Sequence, residues 1–185
     1  MFEVRPHPGP RHPLRRIWSE ARQAVHLRAV LDSGLSLYQA LFQVLDAAGI
    51  SAASLSLFGG GFKTLVFTTG AIETRPDSAR QANYTTIRDW TNCALLYGAG
   101  TAGIDPHASP LFHCHAVFSD ATGRTFGGHL FPEKSILSEP VIAHVTGHPG
   151  LVVKQSFDPE THHSVFQPVV EPARGSVDGK VLDVF

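Results

Sequence analysis

The sequence predicts a single α+β domain with one principal amphipathic helix and a mainly antiparallel β-sheet of about eight strands. Two observations lead to this fold class. One segment carries an apolar stripe with helical spacing, whereas much of the remaining chain consists of short apolar runs separated by turn residues. The length of 185 residues and the hydrophobic fraction of 43% suit one domain with a sizeable core.

A basic, proline-rich arm is expected over residues 1–22, ahead of the domain. Four prolines interrupt its first 16 residues, which show no hydrophobic periodicity, so we expect an extended or disordered segment. Residues 1–28 carry six arginines and two glutamates, whereas the rest of the chain is mildly acidic. Since arginines of such arms can enter the minor groove of DNA, the candidate DNA contacts are Arg11, Arg15 and Arg16. A solvated tail is the alternative interpretation.

The domain proper is predicted to span residues 23–167 and to open with a strand and a helix. The partly alternating run from Gln23 to Leu31 predicts the first strand. After a turn, apolar residues recur at helical spacing and form one stripe, made of Leu37, Ala40, Leu41, Val44, Leu45 and Ala48. Gly49 follows where a left-handed residue typically ends a helix.

Short apolar runs predict the remaining strands of the sheet. They lie at residues 50–58, 62–68, 84–90, 93–98, 111–118, 124–131, 140–146 and 151–157. The three glycines at 59–61 predict a turn or bulge, and their spacing does not match a phosphate-binding loop. Residues 70–82 are polar and predict an exposed loop. Residues 168–185 have no clear pattern and are interpreted as a C-terminal tail.

Three histidines on one predicted hairpin are the strongest functional signal. His113 and His115 lie two residues apart in a strand, so their side chains point to the same face. Residues 119–123 have the composition of a turn, and a hairpin centred near Ala121 places His129 opposite His113. Three imidazoles so arranged suit a divalent metal such as zinc, which binds imidazole nitrogen at roughly 2.0–2.1 Å. The sequence therefore predicts a metal site of His113, His115 and His129.

The two glycines before His129 bear on how this site is built. Glycine within a strand often marks a bulge or a close backbone approach, so Gly127 and Gly128 are interpreted as aiming His129 at the pair. A bulge here would also change the register of the hairpin. The alternative to a metal site is a cluster of hydrogen-bonded histidines that packs at an interface.

Other polar residues are weaker candidates. His144 and His148 lie near a predicted strand end and can approach the site from another strand. Glu133 and Glu139 follow the second hairpin strand; either can serve as a general acid or base, and nothing singles one out, so the catalytic residues stay unknown. Asp120 is interpreted as a turn-former, because aspartate accepts hydrogen bonds from its own backbone in such turns.

Composition also limits the compartment and the partners. Two cysteines are too few for a disulfide framework, so both are expected as small core residues in a reducing compartment. No apolar run approaches the length of a membrane span, and the N-terminus lacks the apolar segment of a secretory signal. We therefore expect a cytoplasmic protein. A net charge of −1 argues against a surface that binds nucleic acid over its whole extent.

The segment HCHAVFSDATGRTFGGHL, residues 113–130, resembles the plants-and-prokaryotes conserved (PPC) domain family in its H-x-H pair, acidic-glycine turn and G-G-H. The likeness covers roughly residues 23–167 and includes VHLRAVLDSGLSLYQALFQVLDAAGI, SAASLSLFGGGFKTLVF and DPET. The resemblance implies a mainly antiparallel domain that assembles as a homotrimer. It also implies a metal at His113, His115 and His129, as in some members. The fold of the family is similar to that of acetolactate decarboxylase, a zinc enzyme with a comparable set of histidines.

The resemblance also carries expectations about function. Bacterial members are labelled predicted DNA-binding proteins, whereas the Arg-Gly-Arg core of the AT-hooks in plant members is missing here. We therefore expect a metal-containing homotrimer that acts in regulation through DNA or a partner protein. The alternative is a metal-dependent lyase or hydrolase acting on a small carbonyl-containing substrate, because three histidine ligands leave a coordination position open. A metal that only stabilises the hairpin is a third possibility.

Overall fold

The structure, a computed structural model, describes residues 7–13, 17, 19–21, 23–73, 75, 78, 80 and 82–169. Within these residues it contains one α-helix and twelve β-strands. In chain order they are β1 (Val25–Leu31), α1 (Leu37–Ala47), β2 (Ala53–Phe58), β3 (Gly61–Thr68), β4 (Gly70–Ile72), β5 (Ala82–Tyr84), β6 (Arg88–Ile104), β7 (Pro110–Ser119), β8 (Thr125–Leu130), β9 (Ile136–Glu139), β10 (Val141–Gly147), β11 (Val153–Asp158) and β12 (His163–Pro168).

The main sheet holds ten of these strands, and β4 pairs separately with β5. Its order begins β1-β10-β2-β6-β7-β8, and these neighbours are all antiparallel. A parallel bridge joins β11 to β6. The α+β class with a mainly antiparallel sheet and one helix is thus confirmed, with more strands than the expected eight or so.

The long strand β6 divides the sheet into an open part and a closed part. β2 and β3 both pair with β6 in one continuous register, although Gly59 and Gly60 stand between them with φ of 63° and 75°. The predicted glycine turn is therefore a bend within a continuing path along β6, and it redirects the chain. Since β3 also pairs with β8, and β8 with β7, strands β3, β6, β7 and β8 close into a ring.

The helix covers one face of the open part of the sheet. Ser36 caps its first turn, and Ser36 and Gln39 form a capping box that satisfies two otherwise unpaired backbone amides. Gly49 has a φ of 65°, as its position after the helix predicts. The leucines of the apolar stripe are buried in one core cluster with inward side chains of β1, β2 and β10. The other face of these strands carries no helix from the described residues and is partly exposed.

Three local predictions were wrong. The expected loop at 70–82 contains β4 and β5, which form a small hairpin of their own. The two strands expected at 84–90 and 93–98 are largely one strand, β6, which passes through Asn92 in a left-handed conformation with φ 55°. β9 and β12 were not predicted.

The N-terminal arm is described in part. The backbone amides of Gly9 and His12 donate hydrogen bonds to the carbonyl and the carboxylate of Glu160, beyond β11. Arg11 is exposed, whereas Arg15 and Arg16 lie outside the described residues. Among the residues described, no helix is both long and apolar enough to cross a membrane.

Candidate metal centre

The hairpin of β7 and β8 sets the positions of the three histidines. His115, not His113, stands directly opposite His129. The predicted register was therefore wrong, because the turn is centred one residue later than expected. That error moves the cross-strand partner by two residues, which preserves the face to which each side chain points. His113 consequently lies diagonal to His129, on the same face.

Asp120 fixes the turn of this hairpin, as predicted. One carboxylate oxygen accepts hydrogen bonds from the amides of Thr122 and Arg124, at 2.8 and 3.1 Å, and the other binds the Arg124 guanidinium. These donors lower the pKa of Asp120, with the hydrogen bond from the Thr122 hydroxyl as the largest cause. The aspartate therefore stabilises the turn and is fully engaged there.

The three imidazoles converge. Their ring centroids are 4.9 Å apart for His113 and His115, 4.7 Å for His113 and His129, and 5.2 Å for His115 and His129. One ring nitrogen from each lies within 4.8 Å of the others. Tetrahedral coordination of zinc would place such nitrogens about 3.3 Å apart, as follows from the usual zinc–nitrogen distance.

The electrostatics of the cluster favour neutral imidazoles. Burial lowers the pKa of His129 to about 4, with the charges of His113 and His115 as further causes. Burial likewise lowers the pKa of His113, and His115 adds to the shift. Only a neutral imidazole offers a nitrogen lone pair, so these side chains are in the ligand form at neutral pH.

One buried atom shows that the cluster suits a bound cation. Nδ1 of His129 is buried and has no hydrogen-bond partner among the described residues. An unpaired buried polar atom costs free energy, and such atoms often mark a missing ion or water. Three imidazole nitrogens also match the donor preference of zinc and related metals. The residues present therefore fit a divalent metal.

Close backbone packing holds His129 in place. His129, on β8, pairs with Thr68 of the neighbouring strand β3. The ring of Tyr84 lies 5.2 Å from the His129 ring. A Cβ on Gly128 would lie 2.5 Å from the carbonyl oxygen of Thr68, so β8 and β3 approach too closely there for any side chain. The pairing of Gly127 and Gly128 with β7 is regular. Of the two alternatives, a bulge or a close backbone approach, the structure has the close approach.

The weaker candidates do not join the cluster. Glu139 pairs with Gly61 at the opposite end of β3 from His129, and Glu133 is exposed in the turn after β8. In the part of the chain that the structure describes, the metal-ligating group contains no carboxylate. His148 follows the end of β10, and His144 lies on β10, three strands from β7. The cluster therefore consists of imidazoles alone.

Sequence reasoning missed a groove that adjoins the cluster. The groove, of about 750 Å³, runs across the open sheet face from β1 to β7 and includes His113. Its other polar side chains are His26, Arg28, Ser54, Ser56, Thr101, His144 and Thr146. Where two of these residues belong to the same strand, they are two positions apart, and this spacing alone predicts that they share one face of the sheet. The order of the strands, which the sequence does not give, brings them together.

Comparisons with known proteins agree with this architecture. A metal-containing protein of Archaeoglobus fulgidus is 22% identical, with a TM-score of 0.61 over 83% of this chain and 99% of its own. A plant- and prokaryote-conserved protein of Pyrococcus horikoshii is 14% identical, with a TM-score of 0.59 over 82% and 96% of the two chains. A Ralstonia eutropha structure described as a "putative DNA-binding protein" is 22% identical, with a TM-score of 0.59 over 75% and 88%.

These likenesses concern the fold, and the sequence itself adds the family. No curated protein matches the chain. The model of the Plants and Prokaryotes Conserved (PCC) domain matches residues 19–146, which is well over half of the chain and includes all three clustered histidines. The chain therefore belongs to the PCC domain family.

Proposed function

We propose that this chain is a metal-dependent regulatory domain in which His113, His115 and His129 hold one divalent cation, zinc being our first choice. The observation that carries the proposal is the convergence of three imidazoles, those of His113 and His129 half-buried and that of His115 exposed, with Nδ1 of His129 left unpaired among the described residues. The Archaeoglobus fulgidus protein, whose fold matches over nearly its whole length, is described as metal-containing. The metal would supply a fixed positive charge and an open coordination position beside the groove.

Metal analysis of untagged protein tests this proposal. Wild type purified with zinc is expected to hold one metal per chain, and His113→Ala is expected to lose most of it. His107→Ala is the matched control, because His107 lies in an exposed turn outside the cluster. Equal metal content in wild type and His113→Ala would refute the site.

We further propose that the chain assembles as a homotrimer through its open sheet face. Four exposed apolar side chains lie in one cross-strand row, in which the half-buried Ile142 stands between the first two: Val30, Phe58, Tyr97 and Val117. They are between 39% and 48% exposed. Contiguous apolar surface of this kind typically marks an interface. Sedimentation is expected to give a trimer for wild type and a smaller species for Tyr97→Asp; a wild-type monomer would contradict this assembly.

We propose that the basic N-terminal arm binds DNA and that the domain acts in regulation through this contact. Six of the fifteen basic residues fall within the first 28 positions, and Arg11 is exposed. A fold neighbour carries a DNA-binding label. Binding to duplex DNA is expected to weaken steeply with salt and to be lost when residues 1–22 are deleted. Unchanged affinity after the deletion would exclude the arm and favour a partner protein.

Catalysis is the second candidate function. An open position on a three-histidine metal is the arrangement of catalytic zinc, which favours a lyase or hydrolase acting on a small carbonyl-containing substrate. Cobalt(II)-loaded protein tests the open position, because added azide is expected to change its visible spectrum. An unchanged spectrum would mean that the coordination is closed and would remove the basis for catalysis.

A further inference from the structure

The groove on the open sheet face is built from aligned polar positions. One cross-strand row contains His26, Thr146, Ser54, Thr101 and His113. The neighbouring row contains Arg28, His144, Ser56, Ala99 and His115, and it ends at His129. Both rows therefore lead from β1 to the three-histidine cluster, so that the cluster forms one end of the groove.

The far end of the groove carries positive charge without a compensating carboxylate. Arg28 and His144 are direct cross-strand partners there. No aspartate or glutamate is among the described residues that line the groove. A guanidinium offers five N–H donors in a fork that matches carboxylate and phosphate groups. The far end is thus suited to an anionic group.

Two contacts hold the imidazoles of this end in place. Nδ1 of His26 lies 3.2 Å from the Thr146 hydroxyl, and the His144 ring packs edge-on against Phe58 at 5.4 Å. These contacts restrict the side-chain rotations that ligand binding would otherwise have to freeze. The rings of this end are therefore positioned before a ligand arrives.

The floor between the two ends is lined with hydroxyl groups. Ser54, Ser56 and Thr101 present short side chains that both donate and accept hydrogen bonds. His113 and His144 lie on strands separated by two others, which puts their backbones roughly 14 Å apart at the usual interstrand spacing. Both residues line the groove, so an extended sugar acid or sugar phosphate would reach from one towards the other. The volume of about 750 Å³ lies within the range of small-molecule sites.

We propose that the groove binds a polyhydroxylated organic anion, a sugar acid or a sugar phosphate. Its anionic group would pair with Arg28 and His144, its hydroxyls would contact the serines and threonines of the floor, and its other end would reach the three-histidine site. This inference rests on the proposed metal site for that last contact only. The domain would then respond to a small metabolite.

Calorimetric titration with three probes tests the inference. Gluconate carries a carboxylate, glucose 6-phosphate carries a phosphate, and sorbitol is the neutral polyol of similar size. Wild type is expected to bind at least one of the two anions at least tenfold more tightly than sorbitol. The anion that binds more tightly identifies the acidic group, carboxylate or phosphate, that Arg28 prefers. Arg28→Gln is expected to weaken that binding at least tenfold. Lys63→Gln is the matched control, since Lys63 is an exposed cation outside the groove.

Titration with and without zinc separates this inference from the proposed metal site. Zinc is expected to tighten binding of the anion in wild type and to have no such effect in His113→Ala. Normal zinc content with no anion binding would overturn the groove and leave the metal site standing. Binding that depends on Arg28 in a protein that holds no zinc would support the groove and refute the metal site.

Two further outcomes would overturn the inference. Equal affinity of wild type and Arg28→Gln for the anion would show that the groove does not read the anionic group. The other outcome is that neither small anion binds to wild type while Arg28→Gln weakens binding to a DNA duplex. That result would show that this face binds DNA.

Discussion

Acidification should destabilise the metal-free protein through His129. The pKa of His129 is lowered to about 4, chiefly by burial, whereas an unfolded histidine titrates near 6.5. Between these values the unfolded state binds more protons than the folded state. The free energy of unfolding therefore falls as the pH falls through this window.

The magnitude follows from the two pKa values. From about pH 7.5 to about pH 5, His129 contributes a loss of about 2 kcal/mol, which is a large share of the stability of a typical domain. The pKa of His113 is also lowered, so it adds a loss of the same sign.

Urea unfolding in the presence of a chelator measures this loss. Wild type is expected to lose about 2 kcal/mol more than His129→Gln between these two pH values, because glutamine does not titrate. His107→Gln is the control and should follow wild type. The lowered pKa of Glu73, about 2, lies below this window. Equal losses in wild type and His129→Gln would refute the idea that burial keeps this cluster neutral.

Three further predictions concern the scaffold. Gly128→Ala should destabilise the protein by about 1–3 kcal/mol in urea unfolding, because the new Cβ would lie 2.5 Å from the Thr68 carbonyl oxygen. Gly127→Ala is the control and should cost much less, because the nearest atom to its Cβ is 3.4 Å away. Equal costs would contradict the close approach of β3 and β8. Ser36→Ala should cost about 1 kcal/mol through loss of the helix cap, and an unchanged midpoint would mean that the capping box is unimportant. Cys93 and Cys114 are buried, and burial raises the pKa of the Cys114 thiol to about 12, so a thiol reagent at neutral pH should label both only after unfolding; rapid labelling of native protein would contradict this burial.

Local sequence patterns predicted the features that depend on a single helix or strand. The stripe from Leu37 to Leu45 predicted α1, because helical periodicity depends on neighbours within two turns. The alternation of His113 and His115 predicted their common face for the same reason. His129 joined them despite the wrong register, since a register shift of two residues leaves side chains on the same face.

Features that depend on distant pairing were beyond local signals. Asn92 lies between two predicted strands, yet β6 continues through it because β3 pairs with β6 both before and after Asn92. Gly59 and Gly60 were predicted to form a turn or bulge, and they bend the chain within one register against β6. Local propensity cannot distinguish a turn from a bend when the partner strand lies more than thirty residues away.

The groove is the clearest case of function that arises from strand order. Arg28 lies 85 positions before His113 in the chain, and neither residue predicts the other. The insertion of β10 between β1 and β2 places Arg28 beside His144 and carries the row onward to β6 and β7. The apolar row that begins at Val30 lies directly alongside. An assembly through that row would place the groove at the edge of the interface, so binding of a small anion and association of subunits would be coupled. A trimer whose dissociation is unaffected by a bound sugar anion would show that the two rows act independently.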